Sequence, residues 1–142
     1  MVEIAEDKAA AIQAYAVDSF NYWKDNSSEA QKQAGAAELE RYMSDQAFAE
    51  AEGAKAIQAF VTASGSAEGK LDEAKYIVFQ TSMIANEKSK GQFVDEREES
   101  MKTEYRVLNV LSEGDGVSKE EWTAGMGVMM TKWMECKAGA GL

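Results

Sequence analysis

The sequence predicts an all-α fold, and three observations support that prediction. The chain of 142 residues contains no proline, so no residue of that kind interrupts a helix. Alanine is frequent and runs of β-branched residues are few, a composition that favours helix over strand. Apolar residues recur three and four positions apart, which places them on one face of a helix. A chain of this length is long enough to form one domain with a substantial core, or two very small domains packed closely together.

Charge and composition limit the classes of function. The formal net charge of −10, from 25 acidic and 15 basic residues, argues against nucleic acid or an anionic membrane surface as a partner. It favours a cation or a basic amphipathic peptide instead. Histidine is absent, which excludes imidazole catalysis and the usual zinc and haem sites. The chain also lacks a nucleophile motif and a phosphate-binding glycine loop, so we expect a protein that is not an enzyme.

The same composition predicts where the chain is found. Its single cysteine, Cys136, excludes an internal disulfide and indicates a reducing compartment. No hydrophobic run approaches the length of a transmembrane helix. The N-terminal residues MVEIAEDKAA lack the basic start and apolar core of a signal peptide. We therefore expect a cytoplasmic protein without membrane insertion.

The first two helices are expected in the N-terminal third of the chain. The first spans residues 3–24, and the polar residues after it end the helix. Its apolar stripe is made of Ile12, Ala16, Phe20 and Trp23. Ser28 and Gln31 match a capping box, so a second helix begins there. Gly35 and a face made mostly of alanine weaken this second helix.

A third and a fourth helix flank a polar loop in the middle of the chain. The loop SGSAEGKLDEAK covers residues 64–75, and Ser44 or Asp45 opens the helix before it. Basic residues and a glycine at 88–91 end the helix after it. Helical spacing predicts four inward residues before the loop and four after it: Ala56, Ala59, Phe60, Ala63, Tyr76, Phe79, Met83 and Ile84.

A fifth and a sixth helix flank a second polar loop. Acidic residues crowd the start of the fifth helix, residues 94–110, and favour a helix N-terminus electrostatically. The loop LSEGDGVSKEEW follows at residues 111–122. The last helix runs from about Lys119 to Lys137 and is rich in methionine. Its apolar side carries Trp122, Met126, Met129, Met130 and Trp133.

The two helix–loop–helix units resemble EF-hands, and the resemblance covers the C-terminal two-thirds of the chain. An EF-hand loop has twelve residues, with glycine at position six for a sharp turn. In the first loop Gly69 takes position six and the apolar Leu71 takes position eight. In the second loop Val117 takes position eight, although position six falls on Asp115 instead of a glycine. The class is that of calmodulin-like and sarcoplasmic calcium-binding proteins.

The resemblance also implies an architecture. Residues 45–142 form a pair of EF-hand-like units, and residues 1–44 form a helical pair that packs on them in one compact unit. Paired EF-hands join their position-eight residues through a short antiparallel β-contact, so Leu71 and Val117 are expected to pair. Two alternatives stay open: a generic helical bundle with chance glycines, and an eroded EF-hand within residues 1–44.

The first loop lacks the ligands that calcium requires. A calcium loop places carboxylates or amides at positions one, three and five, and a chelating glutamate at position twelve. This loop has Ser64, Ser66 and Glu68 at the first three places, and Lys75 brings a positive charge to the last. We expect it to be folded but to bind no calcium.

The second loop retains more oxygen ligands. Its candidate ligands in a distorted loop are Asn109, Glu113, Asp115 and Glu121. Each register leaves an apolar residue, Val110 or Leu111, where a ligand belongs. Glu121 has a structural alternative, because Ser118 and Glu121 match a capping box that needs no metal, and the two roles are not exclusive. Calcium is the single candidate cofactor, and we expect any affinity to be weak.

The methionine-rich last helix predicts how the protein functions. EF-hand relatives use methionine-lined grooves to hold target helices, and some do so after losing calcium. The expected groove is lined by Phe79, Met83, Met126, Met129, Met130 and Trp133. The resemblance thus implies a helix-binding interaction or regulatory module whose partner presents a basic amphipathic helix. The alternatives are a calcium sensor or buffer that uses the second loop, and a methionine cluster that is ordinary core.

Overall fold

The computed structural model describes residues 3–112 and 114–142, and it confirms the all-α prediction. In chain order the elements are α1 (Glu6–Asn26), α2 (Glu29–Ser44), α3 (Gln46–Ser64), β1 (Lys70–Leu71), α4 (Glu73–Ser89), α5 (Glu98–Asn109), a 3₁₀ turn (Val110–Ser112), β2 (Val117–Ser118) and α6 (Lys119–Gly139). Within these described ranges, no helix is both long and apolar enough to cross a membrane.

Side-chain caps explain where several helices begin. The Ser28 Oγ accepts a hydrogen bond from the Gln31 backbone N–H at 3.1 Å, and the Gln31 Oε1 accepts one from the Ser28 N–H at 2.8 Å. This is the predicted capping box of α2. Asp45 caps α3 and Asp72 caps α4 in a similar way, each through its Oδ1. These bonds satisfy N–H groups that have no partner within the helix.

The fifth helix starts later than predicted. It begins at Glu98 instead of residue 94. The Asp95 carboxylate accepts hydrogen bonds from the backbone N–H and the guanidinium of Arg97, the longest of them 3.1 Å. These local bonds compete with helix formation, and Arg97 is held in an extended conformation as the N-cap.

A short antiparallel β-contact joins the two helix–loop–helix units. Leu71 pairs with Val117, as the resemblance to EF-hands implied, and Lys70 pairs with Ser118. The side chains of Leu71 and Val117 are completely buried. The contact therefore joins the α3–α4 unit to the α5–α6 unit through backbone pairing and two buried apolar side chains.

The core lies where α1 crosses the paired units. It is formed by Ile12, Ala16, Phe60, Leu71, Tyr76, Phe79, Tyr105, Leu108, Val117 and Met129. The predicted stripe of α1 is buried at all four positions. α1 packs chiefly on α6 and also on α5, whereas α2 packs on α3 and contributes no buried residue. The two N-terminal helices thus differ greatly in how firmly they are held.

Close approach of α5 and α6 requires a glycine. A Cβ atom added at Gly125 would overlap the Leu108 Cδ2 methyl, whereas one added at Gly127 would meet nothing within 4 Å.

We expect Gly125→Ala to lower the free energy of unfolding by about 1–3 kcal/mol, as overpacking does. Gly127→Ala should raise it by about 1 kcal/mol because alanine is the better helix former. Urea denaturation of both variants checks this, and equal effects would contradict the packing argument.

Candidate functional site

Phe79 lies in the core and not in a groove. Its side chain is completely buried. Its ring centroid lies 5.6 Å from that of Phe60, 5.9 Å from that of Tyr76 and 5.1 Å from that of Trp122. These aromatic contacts hold α3, α4 and α6 together, so Phe79 is not accessible to a partner in this conformation.

Four of the other predicted groove residues line one cavity. Met126, Met129, Met130 and Trp133 face a space of about 310 Å³ between α1, α2 and α6. We call it the methionine cavity. Its remaining lining residues are Tyr15, Ala16, Ser19, Trp23, Gly35, Glu38, Leu39, Tyr42, Gln92, Glu104, Met134 and Lys137. The sixth predicted residue, Met83, lies elsewhere.

Helix α1 occupies the face of α6 that the sequence assigned to a partner. The Trp133 ring lies against two rings of α1, with centroids 5.1 Å from Phe20 and 4.8 Å from Trp23. Met129 is buried in the same contact region, with 7% of its surface exposed. Part of the methionine cluster is therefore ordinary core, as one sequence alternative held.

The outer part of the methionine cavity is open beside α2. Met130 is 52% exposed and Met134 is 43% exposed. Helix α2 contributes Leu39 and Tyr42 to the cavity wall without burying either of them. Methionine side chains adapt their shape readily. This surface can consequently accept apolar groups larger than those of α2.

A second cavity of about 260 Å³ adjoins the methionine cavity. Both are lined by Tyr15, Ser19, Glu104 and Met126. The second cavity lies among α1, α4, α5 and the start of α6, and Met83 is in its wall. Its other lining residues are Gln80, Ile84, Glu87, Val94, Asp95, Ser100, Met101 and Trp122.

Glu104 stands at the junction of the two cavities. Its Oε2 accepts a hydrogen bond of 2.6 Å from the Tyr76 hydroxyl and another from the Gln80 side chain. Burial raises the pKa of Glu104 to about 7, and Asp95 adds to the effect, while the two hydrogen bonds oppose it. Sequence analysis missed this residue. The available signal was its spacing, since Glu104 lies three residues after Met101, on the inner face of α5.

A cluster of charges forms around Lys90, which sequence analysis also missed. The Lys90 ammonium lies 2.9 Å from Glu87 and still closer to Glu38 and Glu52. Burial lowers the pKa of Lys90, but the hydrogen bonds to the three carboxylates outweigh burial, so the pKa of Lys90 is raised. The spacing of these carboxylates would also suit a metal ion. The Lys90 ammonium already lies among them and offsets part of their charge, and it ties α2 and α3 to the end of α4.

The first loop has a different turn from the one predicted. The left-handed backbone conformation is at Gly65, with φ of 91°, and Gly69 does not adopt it. Ser64 donates a hydrogen bond of 2.6 Å from its Oγ to the Ser66 carbonyl oxygen. Glu68 is exposed, and Lys75 lies in the first turn of α4. Local hydrogen bonding by serine therefore shapes the turn at the end of α3.

In the second loop, side chains bond to the backbone. The Asn109 Oδ1 accepts a hydrogen bond of 2.8 Å from the Gly116 N–H. The Glu121 Oε1 accepts one of 2.9 Å from the Ser118 N–H, which completes the predicted capping box. Asp115 is exposed, and Glu113 lies outside the described residues. The capping role of Glu121 is thus confirmed, while its role as a calcium ligand stays a prediction.

We expect calcium affinity of the second loop to be weak and to depend on Glu121. Loops with few charged ligands bind with Kd of about 10⁻⁴ to 10⁻³ M. Glu121→Gln removes the charge but keeps an oxygen for the Ser118 cap, so it should abolish calcium binding without unfolding α6. Calorimetric titration of both proteins measures this, with Glu120→Gln as a control on the exposed face. Unchanged binding in Glu121→Gln would assign the ion to other ligands.

Comparison of the chain with models of known protein families, with curated proteins and with solved structures found no match in any of the three.

Proposed function

We propose that this chain is a non-enzymatic, EF-hand-like interaction module that binds an amphipathic helix of a partner protein. The observation that carries the proposal is the methionine cavity, which joins four predicted groove residues and is open beside α2. An apolar surface of this kind suits the helix-in-groove mode of recognition, in which apolar side chains of one helix face insert between those of the receptor.

The contacts of α1 support the proposal that the paired units can hold a whole helix. Ile12, Ala16, Phe20 and Trp23 are spaced as one face of a helix and are buried against α5 and α6. The paired units therefore already hold one amphipathic helix of this chain. A partner helix would bind beside α1, on the open side of the methionine cavity.

Helix α2 is the element that a partner would replace. It buries no residue, and polar contacts hold much of it. The Gln92 side chain donates a hydrogen bond of 2.9 Å to the Ala34 carbonyl oxygen, and Lys90 contacts Glu38. The ring of Tyr42 lies 5.0 Å from that of Phe48. A partner helix with leucine or phenylalanine in place of alanine would gain roughly 1.5–3 kcal/mol for each side chain it buries fully.

The charge of the protein favours a basic partner. Its formal net charge is −10, and the methionine cavity is lined by two acidic residues, Glu38 and Glu104, and one basic residue, Lys137. Attraction between an acidic surface and a basic helix speeds encounter and weakens as salt is added. The first loop has Lys75 in place of a chelating glutamate and the second loop has few charged ligands, so we expect the proposed groove to work without a calcium switch.

Tryptophan fluorescence tests the proposal directly. The chain has three tryptophans, and all of them line the two cavities. Titration with a helical peptide of leucine and lysine should shift the emission equally in calcium and in chelator. A shift that requires calcium would instead support the sensor alternative, and no shift in either condition would overturn the proposal.

A matched pair of variants locates the binding surface. Met130→Glu places a charge in the open wall of the methionine cavity, and we expect it to weaken peptide binding at least tenfold. Val78 is similarly exposed, at 57% against 52% for Met130, but it lines neither cavity. Val78→Glu should bind the peptide like the unmodified protein. Equal affinities of the two variants would place the peptide on another surface.

A further inference from the structure

We propose that the two cavities that adjoin at Glu104 form a binding site for a small apolar molecule that carries one ammonium group. This site shares the methionine cavity with the helix-binding surface proposed above and extends from it, past Glu104, into the second cavity. The argument rests on the shape of the cavities, the charges in their walls and a buried hydrogen-bond donor.

The size and lining of the cavities suit a small molecule. Their volumes are about 310 and about 260 Å³, which together fall in the range of ligand pockets. Six methionines and three tryptophans contribute to the walls, and the polar groups between them include the side chains of Ser19, Gln80 and Glu104. The combination of apolar walls and a few convergent polar groups is typical of ligand sites.

Glu104 is the charged group that lacks a cationic partner. Three carboxylates line the second cavity, those of Glu87, Asp95 and Glu104, and neither lysine nor arginine lines it. Glu87 pairs with Lys90, and Asp95 pairs with Arg97. Among the residues that the structure describes, no ion pair includes Glu104. An ammonium group in the cavity would supply the missing positive charge.

The indole of Trp122 adds a buried donor to the wall of the second cavity. Its Nε1 is buried in the wall of the second cavity and has no hydrogen-bond partner among the described residues. A buried donor without a partner costs stability, and few such donors persist in native proteins. The atom itself is covered by protein, so an acceptor in the cavity would bond to this N–H only after the indole shifts.

The charges exclude two other classes of ligand. In the second cavity a carboxylate ligand would lie beside Glu104 and Asp95, and like charges repel in a site of low polarity. Lys137 lines only the methionine cavity, where its ammonium lies 5.7 Å from the centroid of the Trp23 ring. A divalent metal ion prefers several oxygen ligands around it. The group of three carboxylates that is close enough for that, within the described chain, surrounds Lys90 instead. An organic cation needs only one carboxylate and fills the apolar space as well.

Proton release provides a signature of the contact with Glu104. Its pKa of about 7 means that the carboxyl is partly protonated at neutral pH. The groups that face it, Tyr15, Tyr76 and Asp95, supply no positive charge. An ammonium favours the ionised carboxylate, so binding lowers the pKa of Glu104 and releases protons. Binding by apolar contact alone would release none.

The test compares three probes of similar shape: 2-phenylethylamine, 2-phenylethanol and 3-phenylpropanoate. Tryptophan fluorescence measures the affinity of each for the full chain. We expect the amine to bind at least tenfold more tightly than the alcohol, and the acid to bind most weakly. Calorimetry of the amine in two buffers of different ionisation enthalpy should show proton release near neutral pH.

Two variants of α5 assign the effect to one residue. Glu104→Gln keeps an acceptor for the Tyr76 hydroxyl but removes the charge. It should reduce the affinity for the amine to the affinity for the alcohol. Glu99 is an exposed acid on the same helix, so Glu99→Gln should bind all three probes like the unmodified protein. Helix binding measured with Met130→Glu is a separate observation and does not depend on this result.

Several results would overturn the proposal. Equal affinities for the amine and the alcohol, or no binding of the amine, would contradict the proposed role of charge in ligand binding. Undiminished amine binding by Glu104→Gln would place the ammonium elsewhere. If Glu104→Gln does not fold, the comparison of probes on the unmodified protein and the proton release decide the question, and absence of proton release would then contradict the assignment.

Discussion

Replacing Lys90 with methionine should lower the free energy of unfolding by about 3 kcal/mol and loosen α2. Breaking a buried ion pair by removal of one partner costs about 3–5 kcal/mol, because the other charge stays buried without compensation. Lys90 is 22% exposed at its side chain, and the side chain of Glu52 is only 4% exposed, so we take the lower end of that range. Urea denaturation measures the loss.

Hydrogen exchange shows whether the loss is local. Amide protons of α2 should exchange faster in Lys90→Met, because the ammonium links Glu38 of α2 to α3 and α4. Lys88→Met is the matched control, since Lys88 pairs with Glu96 across 3.2 Å while both side chains are more than half exposed. Such a surface pair contributes at most about 1 kcal/mol. Similar losses of unfolding free energy in the two variants would show that the Lys90 cluster stabilises the protein no more than a surface ion pair does.

A second substitution in the cluster tests the mechanism. Adding Glu52→Gln to Lys90→Met removes the deepest of the uncompensated carboxylates. Recovery of part of the lost stability is expected, although Lys55 remains 3.1 Å from position 52 in the unmodified chain. Further destabilisation by the second change would mean that Lys90 acts by packing and not by neutralising charge.

Glu104→Gln should stabilise the protein at pH 8 by about 2–3 kcal/mol and leave it little changed at pH 5. A pKa difference of one unit corresponds to about 1.4 kcal/mol. Burial raises the pKa of Glu104 from 4.5 to about 7, which is about 3 kcal/mol in favour of the neutral acid in the folded state. Glutamine is neutral at every pH and can still accept a hydrogen bond from Tyr76.

The direction of the pH dependence follows from the raised pKa. The stabilising effect of the neutral Glu104 carboxyl is fully present below the unfolded value of 4.5 and is lost as pH rises through about 7. The unmodified protein should therefore become less stable from about pH 5 to about pH 8, and Glu104→Gln should show a flatter profile. Burial also raises the pKa of Glu87, but Glu87 contributes equally to both chains, so their difference isolates Glu104.

Denaturant titrations at several pH values measure both profiles. Glu99→Gln changes the net charge by the same amount on the exposed face of α5, and its profile should follow that of the unmodified protein. Parallel profiles for Glu104→Gln and the unmodified protein would contradict the assignment of a raised pKa to Glu104.

The sequence alone determined features that depend on local patterns. The apolar stripe of α1 and the capping boxes of α2 and α6 were predicted from such patterns, and the structure contains each of them. The pairing of Leu71 with Val117 was implied by the resemblance to EF-hands instead, and the structure contains it as well. Helical periodicity and capping involve residues a few positions apart, so they are legible in a linear sequence. The later start of α5 shows where prediction from local patterns fails. The hydrogen bonds between Asp95 and Arg97 outweigh the electrostatic preference for an earlier helix N-terminus.

Only the tertiary structure decided which surfaces remain open and which charges are buried. Phe79 and Met130 both lie in helices and both have large apolar side chains, yet Phe79 is completely buried and Met130 is 52% exposed. Glu104 and Glu99 lie on one helix, yet only Glu104 faces a cavity. The cost of burying a group depends on what neighbouring helices place around it. That depends on contacts between residues far apart in the chain, such as Lys90 with Glu38 or Phe20 with Trp133.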